Sequence, residues 1–532
     1  MTATYALEVA HRTLIILAPE IILLAVATAM MTAGAFIKRP RHFWSILSAG
    51  TLVFAIIPLF LHRNAGVDIY ASTVLNDPLS GYSRLFFLLT GLIVLALAHD
   101  QVDDARAPEF FGSLLMIHAG AMIVAASNEL VLMFVGLELI SIPTYLLLYL
   151  LKRTSATQEA ATKYFFLSIF SSALLLYGMA YLYGLTGVSN LKGIANLVEY
   201  APGVPNPQLA LIALVFIMAG LGFRVAAVPF HFYAPDVYQA SPTILTAVLA
   251  WIPKAVGFLA IIRILICVLA GAGVENPTVD KAITLAWIIA AITMTLGNTV
   301  ALGQENLKRL FAYSSIAHAG YLMIGVAVAF RTRPGSTGIY LGIEGILFYL
   351  FAYALMTLGA FGVILAANTG NQAVENVDDL SGLGQSQPLL ALAMTICLFS
   401  LVGIPGLAGF WGKFSIFGAA FSAGPVADTR MLQVLTVIAV LNSAAGAYYY
   451  LRIVVNMYLK PARIPHELRI PLPTALAIGA CASLTLILGI FPGSIIRITH
   501  ESAVAALSHP VPESLPAGEV APVTVVTPVT AR

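Results

Sequence analysis

The stretch ELVLMFVGLELISIPTYLLLYLL, Glu129–Leu151, decides the fold. It is long enough to cross a bilayer as a helix, and Glu138 stands near its middle. A carboxylate at that depth costs about 2.5–3.5 kcal/mol on insertion scales. Something has to offset that cost. Arg224, Lys254 and Lys413 stand in other long apolar stretches and are the available partners. The sequence thus describes a membrane protein with buried, paired charges.

The composition agrees. Of 532 residues, 59% are hydrophobic and 10% are charged, with mean hydropathy +0.91. Soluble domains carry about 25% charged residues. The apolar runs are long and continuous, which selects helices over the short alternating strands of a membrane β-barrel. A net charge of +2 gives no basis for nucleic-acid binding. Cys267, Cys397 and Cys481 lie far apart in apolar runs, without the spacing of a cluster or zinc site. They are read as buried small residues.

At roughly 20 apolar residues per crossing, the chain offers about fourteen spans. The first is expected at about Leu14–Phe36 with Glu20 near its outer end, and the fifth is the opening stretch. The seventh runs into Pro229, and the twelfth, Pro388–Phe421, is interrupted by Gly-Ile-Pro-Gly at Gly403–Gly406. Each interruption has a cation beside it, Arg224 or Lys413. Paired interrupted spans in two halves of a chain point to a repeat transporter with its site near the midplane. The expected organisation is three helices in residues 1–107, five-helix repeats in 108–271 and 272–460, a final helix in 461–499 and a mobile tail in 500–532. Basic residues cluster in alternate loops: Lys38, Arg39 and Arg41; Lys152, Arg153 and Lys163; Lys308 and Arg309; Lys460, Arg463 and Arg469. The positive-inside rule makes those loops cytoplasmic and both termini external.

Glu138 reads as a coupling carboxylate paired to a cation; a neutral carboxyl bonded to a backbone carbonyl is the structural alternative. Lys254, in AWIPKAVGF, is mid-span, too far from either end to snorkel, and a buried lysine can exchange a proton near neutral pH. Lys413, just past the second interruption, is read the same way. His318, in YSSIAHAGY, is a candidate proton relay, with a satisfied structural histidine as its alternative. His231 and His118 are read as structural. Cations and carboxylates spaced along a membrane midplane conduct protons or small cations. No nucleophile–base pair, phosphate loop or nucleotide fingerprint accompanies them.

Five segments carry a family resemblance: GLELISIPTYLLL, KYFFLSIFSSALLLYGMAYLYGLTG, VPFHFYAPDVYQ, NLKRLFAYSSIAHAGY and GIPGLAGFWGKF. They resemble subunit N of the proton-translocating NADH:quinone oxidoreductases (bacterial complex I), over about residues 14–495. The L and M subunits and the multi-subunit cation/proton antiporters share the fold, and the M type carries a carboxylate where Lys413 stands.

The resemblance implies an all-α polytopic protein of the bacterial inner membrane. It has about fourteen transmembrane helices, two inverted five-helix repeats and broken seventh and twelfth helices. It implies a key glutamate matching Glu138 and lysines matching Lys254 and Lys413. It also implies other complex I subunits as partners, a lipid environment and an indirect link to quinone. No cofactor is expected in this chain, while partner subunits hold flavin and iron–sulfur clusters. Two positions depart from the family. The motif GFK reads Gly222-Phe223-Arg224 here, and Ala240 replaces a glycine after PDVYQ. Arginine stays protonated in proteins, so Arg224 is expected to pin Glu138 as a fixed counter-charge, leaving Lys254 to carry the exchangeable proton. A cation/proton antiporter or a membrane hydrogenase without NADH activity is the rival assignment.

Overall fold

The computed structural model describes residues 3–151, 154–200, 207–266, 269, 277–330, 342–368, 374–422, 429–462 and 470–507. The first helices are α1 (Ala3–Ile16), α2 (Ala18–Gly34), α3 (Arg41–Leu61), α4 (Pro78–Ala98), α5 (Ala107–Ala126) and α6 (Leu130–Leu151). Then come α7 (Ser155–Thr186), α8 (Leu191–Tyr200), α9 (Pro207–Val225), α10 (Tyr233–Ala240) and α11 (Thr243–Ile261). The second half holds α12 (Pro277–Leu302), α13 (Leu307–Ala329), α14 (Gly342–Ala367), α15 (Pro388–Val402), α16 (Ala408–Ser422) and α17 (Thr429–Leu459). It closes with α18 (Leu472–Ile490) and α19 (Gly493–Leu507). Among the described residues there are no β-strands beyond isolated bridges. Backbone groups in hydrocarbon must bond within their own segment, and helices achieve this.

Twelve helices among the described residues are long and apolar enough to cross a membrane, or thirteen if α1 and α2 count as one bent span. The two pieces of the expected twelfth span, α15 and α16, have 15 residues each. The first span differs from expectation. It breaks at Leu17, and α1 meets α2 at 66°. Pro19, at the second position of α2, has no N–H to continue the α1 ladder.

The tail also differs. Residues to Leu507 form α19, which packs on α4 and α14. Thr499, Ser502, Ala503, Ala506 and the terminal Leu507 are its buried residues. Up to Leu507 that face is made of small and hydroxyl residues, which give little hydrophobic signal. Residues 508–532 of the expected tail lie outside the described residues, as does Cys267.

The core is the set α5, α11, α13 and α14. The spanning window of α11 is 100% buried, whereas those of α7 and α17 are 33% and 28% buried. The outer helices present Phe54, Phe166, Phe170, Leu441 and Leu476 outward, as a lipid-facing surface requires. Helices approach closely where glycine allows it. A Cβ on Gly120 of α5 would lie 2.7 Å from the Gly136 carbonyl of α6.

The interruptions are backbone features. After α9 the chain passes through Ala226 at φ 57 and a cis Val228–Pro229 bond before α10 begins. Between α15 and α16, Gly403 and Gly406 sit at φ 93 and 89, a region glycine enters without strain. Cys397 and Cys481 are buried free thiols on α15 and α18.

The described members of the basic clusters share one end of the bundle. Lys163 and Arg309 both pair with Asp236, at 3.0 and 2.9 Å. Lys308 donates to the Ser241 carbonyl, and Lys460 pairs with Asp378. Arg106 donates to the Leu150 carbonyl at the C-terminus of α6.

Candidate functional site

The opening stretch forms α6, and its carboxylate meets the predicted cation. Arg224, in the last turn of α9, places a guanidinium nitrogen 2.7 Å from Glu138 Oε1. Ser172 of α7 completes the contact. Its hydroxyl donates to Glu138 Oε1 at 2.5 Å and accepts from Arg224 at 3.0 Å. The other guanidinium arm donates to the Ser141 hydroxyl and to the Leu137 carbonyl at 3.3 Å. Arg224 is 3% exposed and Glu138 24%. The cation is thus enclosed while the carboxylate remains partly open on the outer face of α6.

Lys254 lies on α11, one turn before Gly257. A Cβ at Gly257 would lie 3.2 Å from Arg224 Cβ, so that turn of α11 is pressed against the arginine. Lys254 donates to Ser315 Oγ of α13 at 2.6 Å, with its ammonium 5.8 Å from the centre of the Tyr353 ring. Next to Ser315, the Ser314 hydroxyl bonds the Tyr450 hydroxyl of α17. Tyr450 in turn bonds His318 Nε2 at 2.9 Å, and His318 Nδ1 bonds the Tyr349 hydroxyl of α14. His318 also packs edge-on against Tyr321. The Tyr321 ring centre is 4.8 Å from the Lys413 ammonium. Lys413, on α16, donates to the Leu401 and Val402 carbonyls at 3.0 and 2.8 Å and to Ser443 at 2.8 Å. Those carbonyls end α15, where the glycine turn leaves them without helical donors. No carboxylate pairs with Lys254 or Lys413 among the described residues. Hydroxyls, carbonyls and aromatic faces hold both ammonium groups instead.

All five predicted residues are therefore buried or half-buried in one band of the molecule. Glu138 and Arg224 touch directly; Lys254, His318 and Lys413 are joined through serine and tyrosine hydroxyls and rings. His118 donates from Nδ1 to the Leu114 carbonyl, as expected of a structural group. His231 sits in the break before α10 with Nδ1 buried.

Sequence reasoning missed the hydroxyl lining, because serine and tyrosine in a membrane helix raise no alarm. It also missed two buried bidentate pairs. Arg84 meets Glu20 through two bonds of 2.6 Å, and Arg263 meets Asp77 at 2.6 and 2.7 Å. Arginine inside the apolar runs of α4 and past α11 was the available signal. At the basic end, a cavity of about 360 Å³ opens beside α10, lined by Lys163, Asp236, Gln239, Lys308 and Glu375. Tyr238 of α10 reaches inward and donates to the Leu249 carbonyl of α11 at 3.0 Å.

A family model described as "NADH:quinone oxidoreductase/Mrp antiporter, TM" matches residues 127–439, the portion holding every residue of this band except Tyr450 and Ser443. The chain belongs to this family. It is 37% identical over 492 residues to NADH-quinone oxidoreductase subunit N of Trichlorobacter lovleyi, covering 92% of this chain and 96% of that one. It is 34% identical over 509 residues to F(420)H(2) dehydrogenase subunit N of Methanosarcina mazei, covering 92% and 98%. Among solved structures, a chain of respiratory complex I from Thermus thermophilus with bound aureothin matches with TM-score 0.72 and 32% identity, covering 91% of this chain and 99% of that one.

Proposed function

We infer that this chain is a proton-translocating membrane-arm subunit of an NADH:quinone oxidoreductase in the bacterial inner membrane. The observation that carries the reading is the band of buried cations at and between two broken helices, joined by hydroxyls, in a chain similar to subunit N over nine-tenths of its length. Oxidation of NADH and reduction of quinone take place in partner subunits, which hold the flavin and iron–sulfur clusters. Residues 108–271 and 272–460 act as two inverted five-helix repeats between an N-terminal three-helix unit (1–107) and the closing helix (461–499).

Each residue of the band has a role that follows from its contacts. Arg224 cannot release a proton and serves as the fixed counter-charge of Glu138. Lys254 and Lys413 are the exchangeable sites, because neither ammonium is locked to a carboxylate. Ser315, Ser314, Tyr450 and His318 supply the donors and acceptors between them. The cavity beside Asp236 is the cytoplasmic mouth, and Tyr238 leads from it toward α11. A change at Glu138 alters the field at Arg224, and α11 at Gly257 transmits it to Lys254.

The similarity to F(420)H(2) dehydrogenase subunit N supports a second reading, in which the same membrane device is driven by another donor. The test is the complex purified from its native membrane and reconstituted in liposomes, with NADH:quinone activity and proton uptake assayed together. Flavin and iron–sulfur subunits and NADH-driven acidification are expected. Isolation with other antiporter-like chains and no NADH activity would overturn the respiratory reading. Lys254→Met should abolish uptake in the assembled complex; full uptake would remove Lys254 from the path.

A further inference from the structure

Away from the proton band, two histidines from different helices meet at the basic end. His42 lies in the first turn of α3, and His99 follows the last residue of α4. His42 Nδ1 and His99 Nε2 are 2.8 Å apart, and the two rings pack with centroids 4.5 Å apart. Asp100 brings a carboxylate oxygen into the same group, all three ligand atoms lying within 4.8 Å of one another. We propose that His42 Nδ1, His99 Nε2 and an Asp100 carboxylate oxygen bind one divalent transition-metal ion of the zinc class, with water completing the coordination.

Three features support this. First, imidazole and carboxylate together suit zinc, with ligand distances of about 2.0–2.2 Å in a tetrahedral arrangement. Second, the outer nitrogen of His99 is already engaged: Nδ1 bonds the hydroxyl of Ser45, 3.1 Å away and itself 5% exposed. That bond orients the ring with Nε2 facing His42, the outer-shell support that metal-bound histidines receive. Third, the group is reachable from water, because His42 is exposed while His99 and Asp100 are half-buried.

Metal binding requires two local changes. The His42 ring takes the tautomer with its proton on Nε2, and the nitrogens move apart to about 3.3 Å, the tetrahedral separation. Both are available to an exposed side chain. Arg41 holds Asp100 at 3.0 Å in an ion pair with both partners partly exposed, which is weakly held and can share the carboxylate. Asp104 accepts from the Arg41 backbone N–H and stays outside the set. A bound ion would staple the start of α3 to the turn between α4 and α5.

The test uses the full chain, purified in detergent without a histidine tag and stripped with chelator. Cobalt(II) is titrated in, followed by its visible absorption, and then displaced by zinc(II). One cobalt per chain with a tetrahedral spectrum, displaced stoichiometrically by zinc, is expected. His42→Gln and His99→Gln should each abolish the band, and Ser45→Ala should weaken binding about tenfold. His42 is exposed, so matching elution and melting of the His42→Gln protein are expected and show that loss of the band is not misfolding. An equal band in the His42→Gln/His99→Gln protein, or no band in the unaltered chain, overturns the proposal.

Discussion

Removing Arg224 tests the pinning of Glu138 most directly. In Arg224→Met the carboxylate loses a 2.7 Å ion pair, and Ser141, Ser172 and the Leu137 carbonyl lose their donor. Breaking a buried pair from one side costs about 3–5 kcal/mol, because the partner charge is left uncompensated. Glu138 is 24% exposed, so the low end applies, about 3 kcal/mol. At about 1.4 kcal/mol per tenfold, that is roughly a hundredfold shift in the folded-to-unfolded ratio. The companion Arg224→Met/Glu138→Gln protein carries no orphan charge. It should recover much of the loss, giving a coupling of about 2 kcal/mol in the double-mutant cycle. The assay is thermal unfolding of the purified complex for Arg224→Met, Glu138→Gln and the pair, with proton uptake per NADH beside it. Arg224→Met should melt lowest and pump least, and the double variant should melt higher while still failing to pump. Strictly additive losses would refute the pinning argument, since two residues that hold each other's charge cannot be independent.

Arg224→Lys keeps the charge but has one point of attachment where arginine has a fork, so it should hold Glu138 and release Ser141; a shifted pH profile of uptake checks this, and an unchanged profile counts against a special role for arginine. Lys254→Arg should assemble normally and pump no better than Lys254→Met, because arginine holds its proton; NADH-driven dye quenching in liposomes reads this. Gly409→Ala should cost about 1–3 kcal/mol or more, because a Cβ there would lie 1.9 Å from the Ser400 carbonyl and force α15 and α16 apart; a lowered melting temperature is the readout. Asp77, just outside α4, is pushed up by its burial but held below the ordinary carboxylate value by Arg263. A depressed folded value gives stability that is present above about pH 3.9 and lost as pH falls through the folded value, so the gap in stability between wild type and Asp77→Asn should be constant at neutral pH and close in acid.

The spans and the cations were legible for one physical reason. A charge in a long apolar run is expensive, so Glu138, Arg224, Lys254 and Lys413 announce themselves, and glycine and proline beside them mark the breaks. What joins them was not legible. Ser172, Ser315, Ser314, Tyr349 and Tyr450 are ordinary membrane-helix residues, and only tertiary packing brings those on α7, α13, α14 and α17 to the charges. The bend at Leu17 was hidden because hydropathy continues through it. Helix α19 was hidden because its buried face, up to the terminal Leu507, is made of threonine, serine and alanine. The pairing of Glu20 with Arg84 spans 64 residues and no local pattern predicts it.

The exposure of Glu138 adds a constraint that the ion pair alone does not. Val131, Val135, Ile142 and Leu146 are exposed at helical spacing along α6, and Glu138 falls on the same stripe, partly open between Val135 and Ile142. A lipid-facing carboxylate at that depth would keep most of its insertion cost even with Arg224 beside it, because hydrocarbon solvates neither partner. A stripe of valine, isoleucine and leucine with one glutamate is better matched to a protein surface that offers a donor or an ordered water. Membership in a family of multi-subunit membrane assemblies supplies such a surface. The enclosed cation and the half-open carboxylate then have separate tasks. Under the proposed function, Arg224 fixes the charge from within the chain, and Glu138 is the group through which a neighbouring subunit would change the field at Lys254.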